Sequence, residues 1–205
     1  MAEKKARLIH GLSNFHIALL DNDDSTGVKY GTVNHIEGAV SVSGTPNEDS
    51  TPKYADNGVF AQLDNFESFD VEMAAVDIPE EIQAEMFGEK VVNGVVFSNK
   101  DDIKKEIALG FEAKIRGGGT RFYWLLKGQP TVMGIEHATD EGTVTAQDAN
   151  LSISFIPLRH NGEWRARLSS NIVKTADWFS EVVYSEEIAK ELPSETPTPD
   201  PEPTP

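Results

Sequence analysis

The clearest alternation of hydrophobic and polar positions lies between Ile107 and Lys127 (IALGFEAKIRGGGTRFYWLLK). From Ile107 to Arg116 apolar and polar residues alternate with a period of two, which is typical of a strand with one buried face. The three glycines that follow favour a turn, because glycine adopts positive φ without strain. The next run, Arg121–Lys127, is apolar on both faces and must be covered on both sides. We therefore predict a central β-hairpin whose second cover is either a neighbouring subunit or an ordinary sandwich core.

The same alternation recurs in short runs along most of the chain. Each run is bounded by turn-forming residues, which is the pattern of a β-strand. A series of short strands of this kind favours a β-sandwich or a barrel. The further predicted strands are Phe15–Leu19, Val28–Val33, Ile36–Val42, Val59–Leu63, Phe69–Met73, Leu151–Pro157 and Trp164–Leu168, with weaker ones at Pro130–Glu136 and Thr143–Ala146.

One amphipathic helix interrupts the strands. Asp77 is placed to cap its start, Pro79 is tolerated in its first turn and Glu80 occupies the capping-box position. Gly88 is expected to end the helix. Its apolar stripe is suited to packing on a sheet and consists of Ile82, Met86 and Phe87.

A long segment without periodicity lies between the third and fourth predicted strands. Gly44–Gly58 (GTPNEDSTPKYADNG) contains two prolines and a cluster of turn-forming residues. Loops of this length in a compact β domain commonly carry function or lack order. We predict a long inter-strand loop here.

Composition narrows the function classes. The chain has 205 residues, no cysteine, a net charge of −16 and a pI near 4.6. Proteins that hold nucleic acid by neutralising phosphates are basic, so this balance argues against tight DNA or RNA binding. No apolar run is long enough to span a membrane, and the start of the chain is not expected to be a secretory signal. The absence of cysteine excludes disulfides and thiolate metal sites.

Candidate chemistry is sparse, and we expect no enzyme, no cofactor and no metal site. The five histidines lack metal-ligand spacing and are interpreted as surface or edge residues. The aspartate-rich turn Asp21–Gly27 does not fit the calcium-loop template, which needs Gly where Thr26 stands and Glu where Thr32 stands. Asp70 and Glu72 have the residue type of glycosidase carboxylates, but solvated charges on a sheet face explain them more simply.

The order of these segments resembles the major tail proteins, or tail tube proteins, of long-tailed (siphovirus-type) bacteriophages. The resemblance covers about residues 10–184 and leaves the proline-rich C-terminal segment outside it. Its pieces are GLSNFHIALL, YGTVNHIEGAVSVS, PKYADN, AAVDIPEEI with a following Gly-Glu, GFEAKIRGGGTRFYWLLKG, LSISFIPL and DWFSEVVY.

The resemblance implies a mainly β fold, a tail-tube-type β-sandwich of antiparallel strands with one flanking α-helix. It also implies a virion protein, assembled in the host cytoplasm, that forms homo-hexameric rings stacked into a tube. The implied partners are further copies of the chain, the tape-measure protein, and the tail terminator and tail-tip proteins. DNA would pass through the lumen during ejection without specific binding, and no membrane would be involved.

Two sets of residues become candidates within that resemblance. The long loop is placed to bridge stacked rings, with the candidate residues Thr45, Pro46, Asn47, Glu48, Asp49 and Pro52. Acids on polar sheet faces would repel DNA phosphates from the lumen. The candidate lumen acids are Glu37, Asp70 and Glu72.

The expected organisation has three parts: an N-terminal arm at residues 1–13, a tail-tube domain at 14–184 and an acidic, flexible tail at 185–205. The end of that tail, Pro193–Pro205, has six prolines and three acids and is expected to be disordered and to project from the tube. Two other functions remain open. One is a secretion-system tube protein of the same fold, and the other is a monomeric β-sandwich that binds a carbohydrate or another ligand.

Overall fold

The computed structural model of the chain describes residues 7–55, 57–134 and 148–193. Strands dominate these residues, so the predicted mainly β class is confirmed. The strands are β1 (Ile9–Asp24), β2 (Gly27–Ile36), β3 (Ala39–Ala55), β4 (Gly58–Ala75), β5 (Lys90–Val92), β6 (Val95–Phe97), β7 (Ile107–Ile115), β8 (Thr120–Pro130), β9 (Ala149–Phe155) and β10 (Arg165–Ser170). The helices are α1 (Glu80–Phe87), α2 (Thr175–Trp178) and α3 (Glu186–Glu191).

Eight strands form one antiparallel sheet in the order β2-β1-β7-β8-β9-β4-β3, and β10 joins it through β8. The predicted central hairpin is β7–β8, and it lies at the middle of this order. One edge of β8 pairs with β7, and on its other edge the partner strand changes along the length of β8. Residues from Thr120 to Leu125 pair with β10, and residues from Gly128 to Pro130 pair with β9. The remaining pair, β5–β6, forms a separate small hairpin.

The first hydrophobic core lies where the large sheet folds over on itself. Phe15 and Leu109, from β1 and β7, pack in one cluster with Met73 and Phe155, from β4 and β9. α1 closes part of the same cluster with its buried residues, among them Met86. The two parts of the sheet therefore face each other as in a β-sandwich, with alternate side chains of each strand pointing inward.

The second core lies on the opposite face of β1, β7 and β8. Phe122, Trp124 and Leu126 of β8 pack there against the segment 171–192, which supplies Trp178 and Phe179. The same chain thus covers both faces of β8 over most of its length, and Tyr123 is only half-buried. The contact is close at Gly110, where an added Cβ would lie 2.8 Å from both the Phe179 and Trp124 rings.

The helices differ from the sequence-based expectation in number and in capping. α1 begins at Glu80 with Pro79 as its N-cap and without a side-chain cap, so Asp77 does not cap it. Its end is as predicted, because Gly88 adopts the left-handed conformation at φ 71°. The expectation of one flanking helix is wrong, since α2 and α3 pack beside the second core.

The predicted boundaries of the body also shift. β1 begins at Ile9, inside the expected N-terminal arm, and pairs there with Ile115. α3 lies inside the expected acidic tail; Ser185 caps it by accepting a hydrogen bond from the Ile188 amide at 3.4 Å. Leu192 packs against the second core. Residues 194–205, the weak strand predicted at 143–146 and the end of the one predicted at 130–136 lie outside the described residues; residues 131–134 form no strand.

The long loop predicted at 44–58 is not a loop. β3 continues to Ala55 and β4 starts at Gly58, so these residues form the outer end of a β-hairpin. The two strands predicted at 59–63 and 69–73 are parts of one strand, β4. Prolines 46 and 52 are tolerated because β3 is an edge strand, where a missing amide donor breaks no ladder. Asn57 makes the turn with φ 63°.

Candidate assembly surfaces

The most exposed part of the fold is the outer end of the β3–β4 hairpin. β9 pairs with β4 only from Phe69 to Ala75. Beyond that point, β3 and β4 have no other strand partner within the described ranges. We call residues 46–68 the arm. A two-stranded hairpin with no core behind it is marginally stable in water, so the arm benefits from any further surface that it contacts.

The tip of the arm carries large apolar side chains in solvent. Tyr54, Val59, Phe60 and Leu63 are between 60% and 74% exposed. Tyr54 and Val59 are directly opposite each other, and Phe60 lies at an irregularity in the strand register. A single exposed apolar residue is ordinary, but a cluster of four on a projecting element marks an interaction site.

An aromatic cluster fixes the base of the arm to the body. The Trp164 ring stacks on Phe66 at a centroid distance of 4.8 Å and lies 5.1 Å from the Phe69 ring. Gly44 is required beside this cluster, because a Cβ there would lie 2.4 Å from the Phe69 ring. The arm therefore leaves the body in a direction that aromatic packing defines.

Polar side chains link the two strands of the arm along its length. The Ser50 hydroxyl donates to Asp64 at 2.6 Å, and Gln62 donates to the Ser50 hydroxyl at 2.5 Å. Nearer the body, Asn47 donates to Asp70 at 2.6 Å. Exposed hydrogen bonds of this kind contribute little net stability, since water competes for each group. They maintain the register of an arm that lacks a core.

All six residues predicted to stack rings lie in β3 and are exposed: Thr45, Pro46, Asn47, Glu48, Asp49 and Pro52. The structure thus places them on or beside the arm, although in a strand and not in a loop. Their proposed contact with another ring stays a prediction. The signal that could have revealed the hairpin is the Asn57-Gly58 dipeptide, which is a strong hairpin-turn pair.

The predicted lumen acids fall into two places. Asp70 and Glu72 share the outer face of β4, two residues apart. Ser154 of β9 donates to Asp70 at 2.6 Å, and Ser152 donates to Glu72 at 2.8 Å. The result is a hydrated polar face with two carboxylates. Glu37 is not part of it, because it lies in the turn between β2 and β3.

Glu112 is a buried carboxylate that the sequence reading missed. Its side chain accepts hydrogen bonds from Asn14 at 2.7 Å, from the Thr175 hydroxyl at 2.8 Å and from Ser13 at 3.3 Å. Asn14 has φ 56° at an irregularity of β1. These bonds join β1, β7 and the start of α2, which is a structural role for a buried charge whose lone pairs are satisfied.

A buried ion pair connects β8 of the β7–β8 hairpin to the turn between β1 and β2. Lys127 Nζ lies 2.7 Å from Asp23 Oδ2, and both side chains are under 8% exposed. Burial opposes the charge of Asp23, but hydrogen bonds from the Arg159 amide, from Lys127 and from the His160 amide hold its pKa below the ordinary value. In the same turn, hydrogen bonds led by that from the Thr26 hydroxyl lower the pKa of Asp24 to about 2. These aspartates hold the turn together.

The histidines are not all surface residues. His16 is half-buried and stacks on Phe179 at 4.0 Å, and its ring lies 4.9 Å from that of His35. Burial lowers the pKa of His16, which keeps it neutral at pH 7. Across residues 7–55, 57–134 and 148–193, His, Asp and Glu form no group of three or more that could hold a metal ion.

Comparisons with known proteins identify no family. No protein-family model matches the chain, and no curated protein matches it. None of the helices in the described part of the chain has the length and apolar character that a membrane crossing requires.

Proposed function

We propose that this chain is a structural subunit of a phage tail tube, located in the virion tail and polymerising as stacked hexameric rings. The observation that carries the proposal is the arm, whose apolar tip is exposed on a body that buries its other large aromatic clusters. Burying apolar area of this kind stabilises an association by roughly 25 cal/mol per Å² before ordering costs. The arm is suited to a contact between successive rings.

The two edges of the large sheet support lateral association. β2 and β3 are its outermost strands and have free edges in the described structure. A free edge presents unpaired amide and carbonyl groups that a neighbouring chain can pair with. In the proposed ring, such pairing would join the sheets of successive subunits into a closed barrel, which removes the edges altogether.

The face with Asp70 and Glu72 supports a role as the wall of a DNA conduit. Its carboxylates are flanked by serine hydroxyls and carry no arginine or lysine ion pair among the described residues. Like charge would keep DNA phosphates from adhering during ejection. The tape-measure protein, the terminator and the tip proteins would be the other partners. The subunit itself would need no catalytic activity or cofactor.

The test is electron microscopy of the purified chain and of an arm-replaced variant. In the variant, Asn-Gly replaces residues 48–67, so that the Asn47–Ser68 pair closes a short hairpin. We expect the parent chain to form rings or tubes and the variant to keep a cooperative thermal unfolding transition without forming tubes. As a control, Glu67→Gln changes the arm by one charge and should still assemble.

Three results would contradict the proposal. A parent chain that stays at 22.5 kDa at all concentrations would favour the monomeric ligand-binding sandwich. Normal tubes from the arm-replaced variant would remove the arm from ring stacking. Tight DNA binding by assembled tubes at physiological salt would remove the repulsive lumen.

A further inference from the structure

A groove of about 510 Å³ opens beside the base of the arm. One wall comes from β3 and β4, with Val42 and Phe69, and the other comes from β7 and β8, with Phe111 and Tyr123. The Phe111 and Tyr123 rings stack at 4.7 Å. The groove is thus an apolar continuation of the first core that the chain itself leaves open.

Three arginines lie along the β8–β10 side of this groove. Arg165 lines it directly and stands 4.3 Å from the Trp164 ring centre. Arg167 is directly opposite Tyr123, and Arg121 is two residues before Tyr123, so both share the face that carries its ring. The chain has only six arginines, and half of them are in this patch. They form no ion pair with any acid in the described ranges.

The arm has the complementary character. Residues 46–68 contain five acids and one lysine, together with the four exposed apolar side chains of the tip. Glu48 and Asp49 are exposed neighbours on opposite faces of β3. An acidic element with apolar side chains and a basic groove with an aromatic floor match in both charge and polarity.

The arm cannot fill the groove of its own chain. Gly44 and Phe69, at the base of the arm, form part of the groove wall, and from there β3 and β4 extend as a hairpin whose tip remains exposed. With ten residues in its β3 strand and eleven in its β4 strand, at about 3.3 Å per residue, the arm reaches roughly 30 Å from the body. Its tip is therefore available to another molecule.

We propose that the groove lined by Arg165, Phe111 and Tyr123 is the receptor for the arm of a second copy of this chain. This inference rests on the proposed function, because it names the surface that the arm would contact in the next ring. The contact is heterologous, since arm and groove are different surfaces of one subunit. Such contacts propagate head to tail and build an open polymer when they do not close.

The experiment uses charge reversal in the full-length chain. The groove variant is Arg121→Glu with Arg167→Glu, and the arm variant is Glu48→Lys with Asp49→Lys. The matched control is Lys114→Glu with Arg116→Glu, which reverses two exposed bases outside the groove. Self-association is measured by sedimentation velocity, tubes by electron microscopy and folding by thermal unfolding.

We expect the groove variant and the arm variant each to self-associate at least about tenfold more weakly than the parent, because like charges then meet at the contact. The chain that carries all four substitutions should regain association, since the charges are again complementary. An equimolar mixture of the groove and arm variants should also regain association, as alternating polymers, because both arm–groove pairings between the two variants join opposite charges. The control should behave as the parent does.

The outcomes separate this inference from the proposed function. Tubes that form normally from the folded groove variant, or a fourfold variant that stays as weak as the single pairs, would overturn the groove as receptor and leave the tube proposal standing. The parent chain could instead form open polymers without tubes. If the groove and arm variants lose these polymers and the fourfold variant restores them, the groove is supported as the receptor and the tube proposal is overturned. A parent chain that does not self-associate would overturn both.

Discussion

The β7–β8 and β3–β4 hairpins belong to one sheet and differ in how they are covered. β8 is covered on both faces from Trp124 onward, by the first core on one side and by the segment 171–192 on the other. The arm of β3–β4 is exposed on both faces. The first hairpin therefore holds the subunit together, whereas the second adds little to the folded monomer and presents apolar surface to other molecules. The two hairpins separate folding from assembly within one sheet.

The largest loss of stability should come from removing a large buried side chain from the covered hairpin β7–β8. Trp124 is fully buried, lies 5.5 Å from the Phe179 ring and donates to the Trp178 carbonyl at 3.3 Å. Trp124→Ala leaves a large cavity between β8 and the C-terminal segment and should cost about 3–5 kcal/mol of unfolding free energy. Urea titration measures the loss. A change below about 1 kcal/mol would mean that the segment 171–192 does not cover β8.

A second effect, of similar or smaller size, should appear at the buried ion pair. Lys127→Met leaves the Asp23 carboxylate buried without its cation and should cost about 3 kcal/mol at pH 7. Asp23 has a lowered pKa in the fold, so its ionised form contributes stability above its ordinary pKa, and that contribution disappears as pH falls through the folded value. The cost of Lys127→Met should therefore shrink as pH falls and Asp23 becomes protonated, first in the variant, which lacks the cation, and then in the parent.

The control for the ion pair is the double variant Asp23→Asn with Lys127→Met. Because it removes both charges, it should lose less stability at pH 7 than Lys127→Met alone, and its loss should vary little with pH. Denaturant titrations between pH 3 and 7 compare the three proteins. Equal losses for the single and double variants would show that the two side chains do not stabilise one another.

The smallest effect on stability should come from the tip of the arm. Phe60→Ser with Leu63→Ser removes side chains that are 74% and 62% exposed, so the unfolding free energy should change by less than about 0.5 kcal/mol. Assembly should nevertheless fall sharply, because the apolar contact area of the tip is lost. Turbidity and sedimentation measure assembly, and urea titration measures stability. A large loss of stability with normal assembly would reverse the contrast between the two hairpins.

The sequence predicts the covered hairpin well because burial leaves a pattern. In β8 both faces are apolar, as a strand covered on both sides requires. In β7 the alternation predicted one buried face, and this was wrong, because Ala108, Gly110 and Glu112 of the other face are buried as well. In the arm, only Val59–Leu63 of β4 alternates, and that run was predicted as a strand. The β3 strand of the arm has no inward face and no alternation, and its prolines resemble those of a loop. Only pairing of the two strands with each other, at the edge of the sheet, makes them extended.

The candidate surfaces could be predicted only in part. Asp70 and Glu72 are two residues apart, which is enough to place them on one strand face. The three arginines of the groove come from β8 and β10, which are separated by more than thirty residues, and only strand pairing brings them together. α3 was not predicted, because its acidic composition resembles that of a disordered tail. The spacing of Ile188 and Leu192 by four residues fits one face of a helix and is the signal that could have revealed it.

The cover of β8 by the segment 171–192 has a consequence for synthesis. A chain growing on the ribosome completes the β7–β8 hairpin well before it reaches Trp178, Phe179, Val182 and Val183, which close the second core. Until those residues emerge, one face of the hairpin has no partner and is open to wrong pairing with other nascent chains. A subunit truncated before residue 175 would keep the arm and the groove but lack a closed body. The late closure of this core therefore selects for chains that have been translated through their C-terminal segment.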